Sequence, residues 1–307
     1  MRYFLISCIL VLLAFTACQD HVNIDQLSKD SQLVIYCFPS SQDTTEIFVS
    51  SSIPVKGKNM FLDTAQVSCT VNGVQREVKF LKKVDAYKTY QLVYYFTGQL
   101  QAKDRITVQA SAKGMKAASS TTTIPSVPEI TKTEMGSVFN DGVWYDQIRL
   151  SLRNSPSPAK YAVRVIGLAG DYDGDLDSII THKEVEEVCT YDEPVLNNYT
   201  LGEKIFDESN DFYQNFYVFD NSSFLHDSTY TLHLDIRSEG NVRGYRVELY
   251  RLTPELYNFF KSVNDSNNNS TANYGISFVR PSYTNINNGI GVMGGYAMTK
   301  SNWIKEK

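Results

Sequence analysis

Beyond residue 18 the sequence contains no apolar run long enough to cross a bilayer, which takes about 20 residues in a helix. It also lacks a disulfide framework. Apart from Cys8 and Cys18, only Cys37, Cys69 and Cys189 occur, an odd, widely spaced set with no CxxC knuckle for a metal. Cys37 and Cys69 fall in expected strands of one region and could pair in an oxidising compartment; two buried thiols are the alternative. Basic residues are not clustered, and 29 Lys and Arg stand against 34 Asp and Glu, a formal charge of -5. That balance argues against nucleic acid and offers no polybasic patch to draw the protein to a membrane.

Enzyme signatures are missing as well. The four histidines, His21, His182, His226 and His233, form no HExxH spacing, and no G-x-S-x-G elbow precedes a helix. His226-Asp227-Ser228 places the residue types of a hydrolytic triad side by side, but neighbours along a strand point to opposite faces. Residues 289–294 (GIGVMG) match the dinucleotide fingerprint GxGxxG, yet Asn285-Ile286-Asn287-Asn288 precede them and the chain ends at Lys307. The fingerprint works inside a βαβ unit of about 30 residues, for which there is no room. These glycines read as turn or close-packing residues. The expectation is a non-enzymatic protein, with a cell-surface hydrolase or a structural, adhesive module as competing classes.

What is present begins at the first residue. Arg2 gives a short positive region, Tyr3 to Phe15 are apolar, and Thr16-Ala17-Cys18 close the run with small residues and a cysteine. This is the pattern of a secretory signal cleaved before a cysteine that is then acylated. Residues 1–17 read as the signal, Cys18 as the lipidation site and 18–31 as a polar tether. An ordinary cleaved signal with an incidental Cys18 is the alternative. Removing 1–17 takes away only Arg2, leaving 28 basic against 34 acidic residues, or -6.

From Gln32 the chain breaks into short strand-like runs rich in Tyr, Phe, Val and Thr: 33–38, 45–51, 65–71, 77–81, 89–96, 105–112 and 117–124. Asn72-Gly73 between two of them signals a hairpin, because both positions tolerate positive φ. Seven strands without helical period predict an immunoglobulin-like β-sandwich over 32–124, lacking the Cys–Trp–Cys core of antibody domains. Pro125 and Pro128 mark a stiff connector to a second β-rich region, 129–307, with runs at 147–152, 160–166, 212–219, 228–236 and 245–252. One short helix is expected near 254–263, with Thr253 as N-cap, Pro254 at its first position and Leu256, Phe259, Phe260 and Val263 on its apolar face. The fold class is therefore mostly β with one α-helix.

The most chemical-looking segment is acidic. Counting from Asp173, Asp175, Asp177 and Glu184 fall at EF-hand positions 3, 5 and 12, and Asp171 lies just outside. Position 6 is Ser178, where the turn needs glycine, and no flanking helix is expected. The choices are a looser calcium site held by Asp171, Asp173, Asp175, Asp177 and Glu184, or a solvated acidic loop. The aromatic runs Tyr94-Tyr95-Phe96 and Phe212-Tyr213…Phe216-Tyr217…Phe219 could present a ligand surface; the commoner role of such runs is core and cross-strand pairing.

The stretch Tyr245-Arg246-Val247-Glu248-Leu249-Tyr250-Arg251-Leu252-Thr253-Pro254-Glu255-Leu256-Tyr257-Asn258-Phe259-Phe260 and the ending Asn285 to Gly295 carry a resemblance. With Asp63-Thr64-Ala65-Gln66-Val67, they resemble the Bacteroidetes lipoprotein family catalogued as domain of unknown function 4249. The resemblance implies an outer-membrane lipoprotein, commonly encoded beside TonB-dependent receptors, with no activity or catalytic residue assigned. A TonB-dependent barrel is the implied partner, and Cys18 is the only functional residue carried over. Surface-export signals of such bacteria place acidic residues just after the cysteine, which Gln19-Asp20-His21-Val22-Asn23 match poorly, so the periplasmic and cell-surface faces both stay open.

Overall fold

The computed structural model describes residues 30–54, 60–86, 89–172, 179–190, 193–196, 200–201, 215–237, 242–267 and 283–304. The first strands are β1 (Leu33–Cys37), β2 (Thr44–Ser51), β3 (Gln66–Val71), β4 (Val74–Arg76), β5 (Lys79–Ala86), β6 (Thr89–Thr97), β7 (Arg105–Ser111) and β8 (Ala118–Thr123). Period-2 alternation makes them strands: in β1, Leu33, Ile35 and Cys37 are fully buried while Val34 and Tyr36 are only half-buried. Asn72 and Gly73 have φ of 52° and 81°, so the tight β3–β4 turn is the one the dipeptide demands.

The second group comprises β9 (Ile130–Asn140), β10 (Val143–Arg153), β11 (Lys160–Tyr172), β12 (Ile179–Glu186), β13 (Val188–Cys189), β14 (Thr200–Leu201), β15 (Phe216–Asp220), β16 (Thr229–Arg237) and β17 (Val242–Leu252). Helix α1 (Pro254–Asn267) follows, then β18 (Gly289–Met293) and β19 (Tyr296–Lys300). Among the described residues the protein is mostly β with one short α-helix, as its composition led one to expect. The sheet orders are β18-β1-β2-β6-β5, β4-β3-β7-β8, β13-β16-β10-β9 and β14-β15-β11-β17-β19, with β12 also on β11.

Two sandwiches result. In the first, Ile35, Val49, Leu92 and Phe96 of one sheet share a core with Val71, Ile106 and Val108 of the other. In the second, Ile148, Leu150 and Leu234 face Val163, Tyr217, Val247 and Leu249. These orders establish packed two-sheet sandwiches, not the narrower immunoglobulin-like class. Cys37 and Cys69 are both buried, free thiols of the first core. Burial keeps both protonated, Cys69 being pushed up to about 12.

The last strands tie the sandwiches together. β18 pairs in parallel with β1, Leu33 opposite Gly289, and β19 pairs with β17 in the second sandwich. Only Gly294-Gly295 separate them. A Cβ on Gly291 (φ 105°) would lie 2.1 Å from the Ile35 carbonyl oxygen, and one on Gly295 would lie 2.0 Å from that of Thr123. Backbone approaches this close admit no side chain. Helix α1 fills the remaining corner: Leu256, Phe259 and Phe260 pack with Ala162, Phe216, Tyr250 and Val292, and Phe259 meets Tyr36 of β1 at 5.8 Å between ring centroids. The helix starts where expected, but not by a side-chain cap. The Thr253 hydroxyl is buried without a hydrogen-bond partner, and its carbonyl instead accepts from the Tyr257 amide at 3.0 Å.

Candidate functional site

The residues singled out from sequence divide cleanly. Cys18 and the run Asp173, Asp175 and Asp177 lie outside the described residues. Asp171 and Glu184 lie within them, on the two arms of the β11–β12 hairpin. His182 sits between, its Nδ1 3.3 Å from Asp171 Oδ2 and its Nε2 against Glu184 Oε1. The hydrogen bond to Glu184 and the charges of Asp171 and Glu184 raise the His182 pKa. The flanks of the acidic run are thus strands, not the helices of an EF-hand. Among the described residues, no three His, Cys, Asp or Glu side chains converge in a group that could hold a metal ion.

Where they are described the aromatic runs are mostly core, Tyr95 being half-buried on the other face of its strand. Phe96, Phe216, Tyr217 and Phe219 are buried, and the Tyr94 hydroxyl donates to the Ala65 carbonyl at 2.7 Å. Phe212 and Tyr213 lie outside the described residues. GIGVMG forms a sheet-edge strand, no helix follows it among the described residues, and a Cβ on Gly289, Gly291 or Gly294 would meet its neighbours closer than real contacts allow.

The buried carboxylates serve the fold. Glu193 accepts from the Tyr230 hydroxyl at 2.8 Å and the His233 amide at 2.7 Å. Glu248, only 3% exposed, meets Arg164 Nε at 2.8 Å, Lys300 Nζ at 3.0 Å and the Tyr250 hydroxyl at 2.6 Å. Burial alone would raise its pKa; the Tyr250 hydroxyl, Arg164 and Lys300 more than reverse that and hold it at about 2. Arg164 and Glu248 are register partners on β11 and β17, which explains how sequence-distant charges meet.

A different pair is exposed. Trp144 (64%) and Phe139 (57%) are cross-strand partners beside the β9–β10 turn, with ring centroids 5.2 Å apart. The turn residues Asp141 and Gly142 have φ of 48° and 82°, the geometry that Asp-Gly favours. This dipeptide between two alternating runs was the available sequence signal for the hairpin, and the strand pattern at 147–152 caught only its second half.

Register places this pair and the acidic hairpin at one end of the second sandwich. The Tyr245 hydroxyl of β17 donates to Asp146 Oδ2 of β10 at 2.8 Å, and Tyr245 is opposite Gly167, itself opposite Glu184. Trp144 and His182 each lie two residues beyond that level, and Asp171 four. The alternation that turns Ile148 and Leu150 inward also turns Trp144 inward, with Phe139 beside it. On the other sheet, the side that carries Val163 and Val165 carries Asp171, Ile180, His182 and Glu184. Past the core, the inner face of one sheet is therefore aromatic and that of the other acidic. Ring faces and carboxylates presented in this way can bind a cationic or aromatic group.

The model of the family described as Domain of unknown function (DUF4249) matches residues 19–302. The chain belongs to this family. The match runs from the residue after Cys18 through both sandwiches and the β18–β19 tie. No curated protein matches the chain.

Proposed function

We propose that this DUF4249 member is a non-enzymatic lipoprotein, acylated at Cys18 and held to the outer membrane. In this reading its body is an accessory or ligand-binding partner of a TonB-dependent barrel. The observation that carries it is the Phe139–Trp144 pair, two large aromatics left 57% and 64% exposed on a well-formed hairpin at the end of the second sandwich. Folding offers no reason to expose them, whereas docking surfaces are enriched in such rings. A lipid anchor would keep the body at high effective concentration beside a membrane partner, so a small patch would suffice.

The test is affinity purification of the lipidated protein from its own membrane in mild detergent. A barrel should co-purify with the wild type and be lost with Phe139→Ala/Trp144→Ala. Recovery of the lipoprotein alone would count against the accessory role, and Cys18→Ala that still incorporates palmitate would sink the anchor. Calcium is a second reading of the same end, favoured by Asp171 and Glu184 on one side of the hairpin.

A further inference from the structure

The described lysines are scattered in sequence, but the first sandwich gathers some of them at one end. The chain enters β1 there: the Met60 amide donates to Ser31 Oγ at 3.1 Å, and the Gln32 amide donates to Ser52 Oγ at 2.9 Å. The next residue beyond each contact is a large exposed apolar side chain, Phe61 at 59% and Ile53 at 45%. Phe61 leans on Tyr90 at 6.3 Å between centroids, and Lys83 Nζ lies 3.5 Å from the centre of that same ring. The β7–β8 loop arrives at the same end, since a Cβ on Gly114 would lie 2.5 Å from Met60 Cε. That loop exposes Lys113 and Lys116.

The acids near this end are Asp30, Asp63 and Asp85, and Asp63 is paired with Lys83 at 2.9 Å. The loops of the opposite end, 38–43, 72–73 and 98–104, carry Lys103 against Asp43 and Asp104. Lysines flanking exposed Ile and Phe side chains are what a membrane interface selects: rings and branched chains enter the acyl boundary while ammonium groups stay with the headgroups.

We infer that this end, built on Ile53, Phe61, Lys113 and Lys116, is a membrane-contact surface that rests on anionic lipid headgroups. The inference rests on the reading of Cys18 as the anchor. The occupant follows from where the chain leads: residues 19–31, even fully extended, span at most about 45 Å, so the acylated end cannot be far from this surface. Contact here turns a leash into an orientation. The first sandwich lies on the bilayer, and the chain path through β18 and β19 carries the second sandwich away from it.

Tryptophan fluorescence tests this on the full-length lipidated protein. The wild type holds only Trp144 and Trp303. Phe61→Trp adds a reporter at an exposed position, and the protein is reconstituted in vesicles of phosphatidylglycerol and brominated phosphatidylcholine. The added emission should be lost to bromine quenching while wild-type emission is unchanged, and Lys113→Glu/Lys116→Glu should restore the added emission. Palmitate labelling is read in parallel. A labelled protein whose added emission survives overturns the contact surface and leaves the anchor standing. An unlabelled protein that is quenched keeps the surface and loses the anchor, and failure of both readouts removes both. Quenching indifferent to the lysine substitutions would overturn the headgroup assignment.

Discussion

The first sandwich ends in Ile53 and Phe61 with the exposed Lys113 and Lys116 nearby, whereas the second ends in Asp171, His182 and Glu184 on one sheet and Phe139 and Trp144 on the other. Both are two-sheet sandwiches filled by the same alternation of apolar residues. Their cores are interchangeable in kind; their ends are not. Architecture fixes where the loops arrive, and the charge and aromatic content of those loops decides what each end can touch. Between them lies a junction with no tolerance, in which β18, Gly294-Gly295, β19 and α1 lock one sandwich to the other.

The largest effects should come from that junction, and they separate it from the far hairpin. Gly291→Ala puts a methyl group on the Ile35 carbonyl oxygen and should cost about 4 kcal/mol in denaturant unfolding. Gly142→Ala, at a similar φ but with nothing within 4 Å, should cost only about 1 kcal/mol. Equal losses at both sites would refute the contrast between a tight junction and an open hairpin.

Glu248→Gln comes next, at about 3 kcal/mol, because Arg164 and Lys300 lose a buried counter-charge. The sign of its pH dependence follows from the lowered pKa. The wild type gains this stability above the ordinary carboxyl value near 4.5 and loses it as pH falls toward about 2. The variant should lack that component of acid sensitivity, and an unchanged acid midpoint would show that Glu248 contributes none of it.

Smaller effects are expected at the ends. Phe139→Ala/Trp144→Ala should change stability by less than about 1 kcal/mol, since both rings are mostly exposed. A larger loss would mean that the pair is structural. Smallest of all, calcium should raise Tm by no more than a few degrees through Asp171 and Glu184. A melting curve identical with and without chelator would dismiss calcium.

Much of the β structure was legible because strands buried on one face announce themselves with period 2, as in LVIYC at 33–37. Asn72-Gly73 and Thr253-Pro254 were legible as local chemistry, although the threonine's carbonyl and not its hydroxyl starts the helix. β18 was not legible. A strand of Gly289, Gly291 and three apolar residues has no alternation to read, and its partner β1 lies far away in sequence. The charged grouping at Glu248 and the clustering of Lys113 and Lys116 with Ile53 and Phe61 depend on which loops and strands the fold brings together. No local pattern encodes that. The acidic run drew attention through its composition, while the Phe139–Trp144 pair is two ordinary residues until the hairpin register sets them side by side.

The account's central claim is that the protein is tethered at one end and docks a partner at the other. The most direct measurement is co-purification from the native membrane, comparing wild type with Phe139→Ala/Trp144→Ala after both are shown to label with palmitate. The account predicts a membrane barrel with the wild type and its loss from the variant at equal lipoprotein yield. The same barrel recovered equally with both proteins, or with neither, would contradict it.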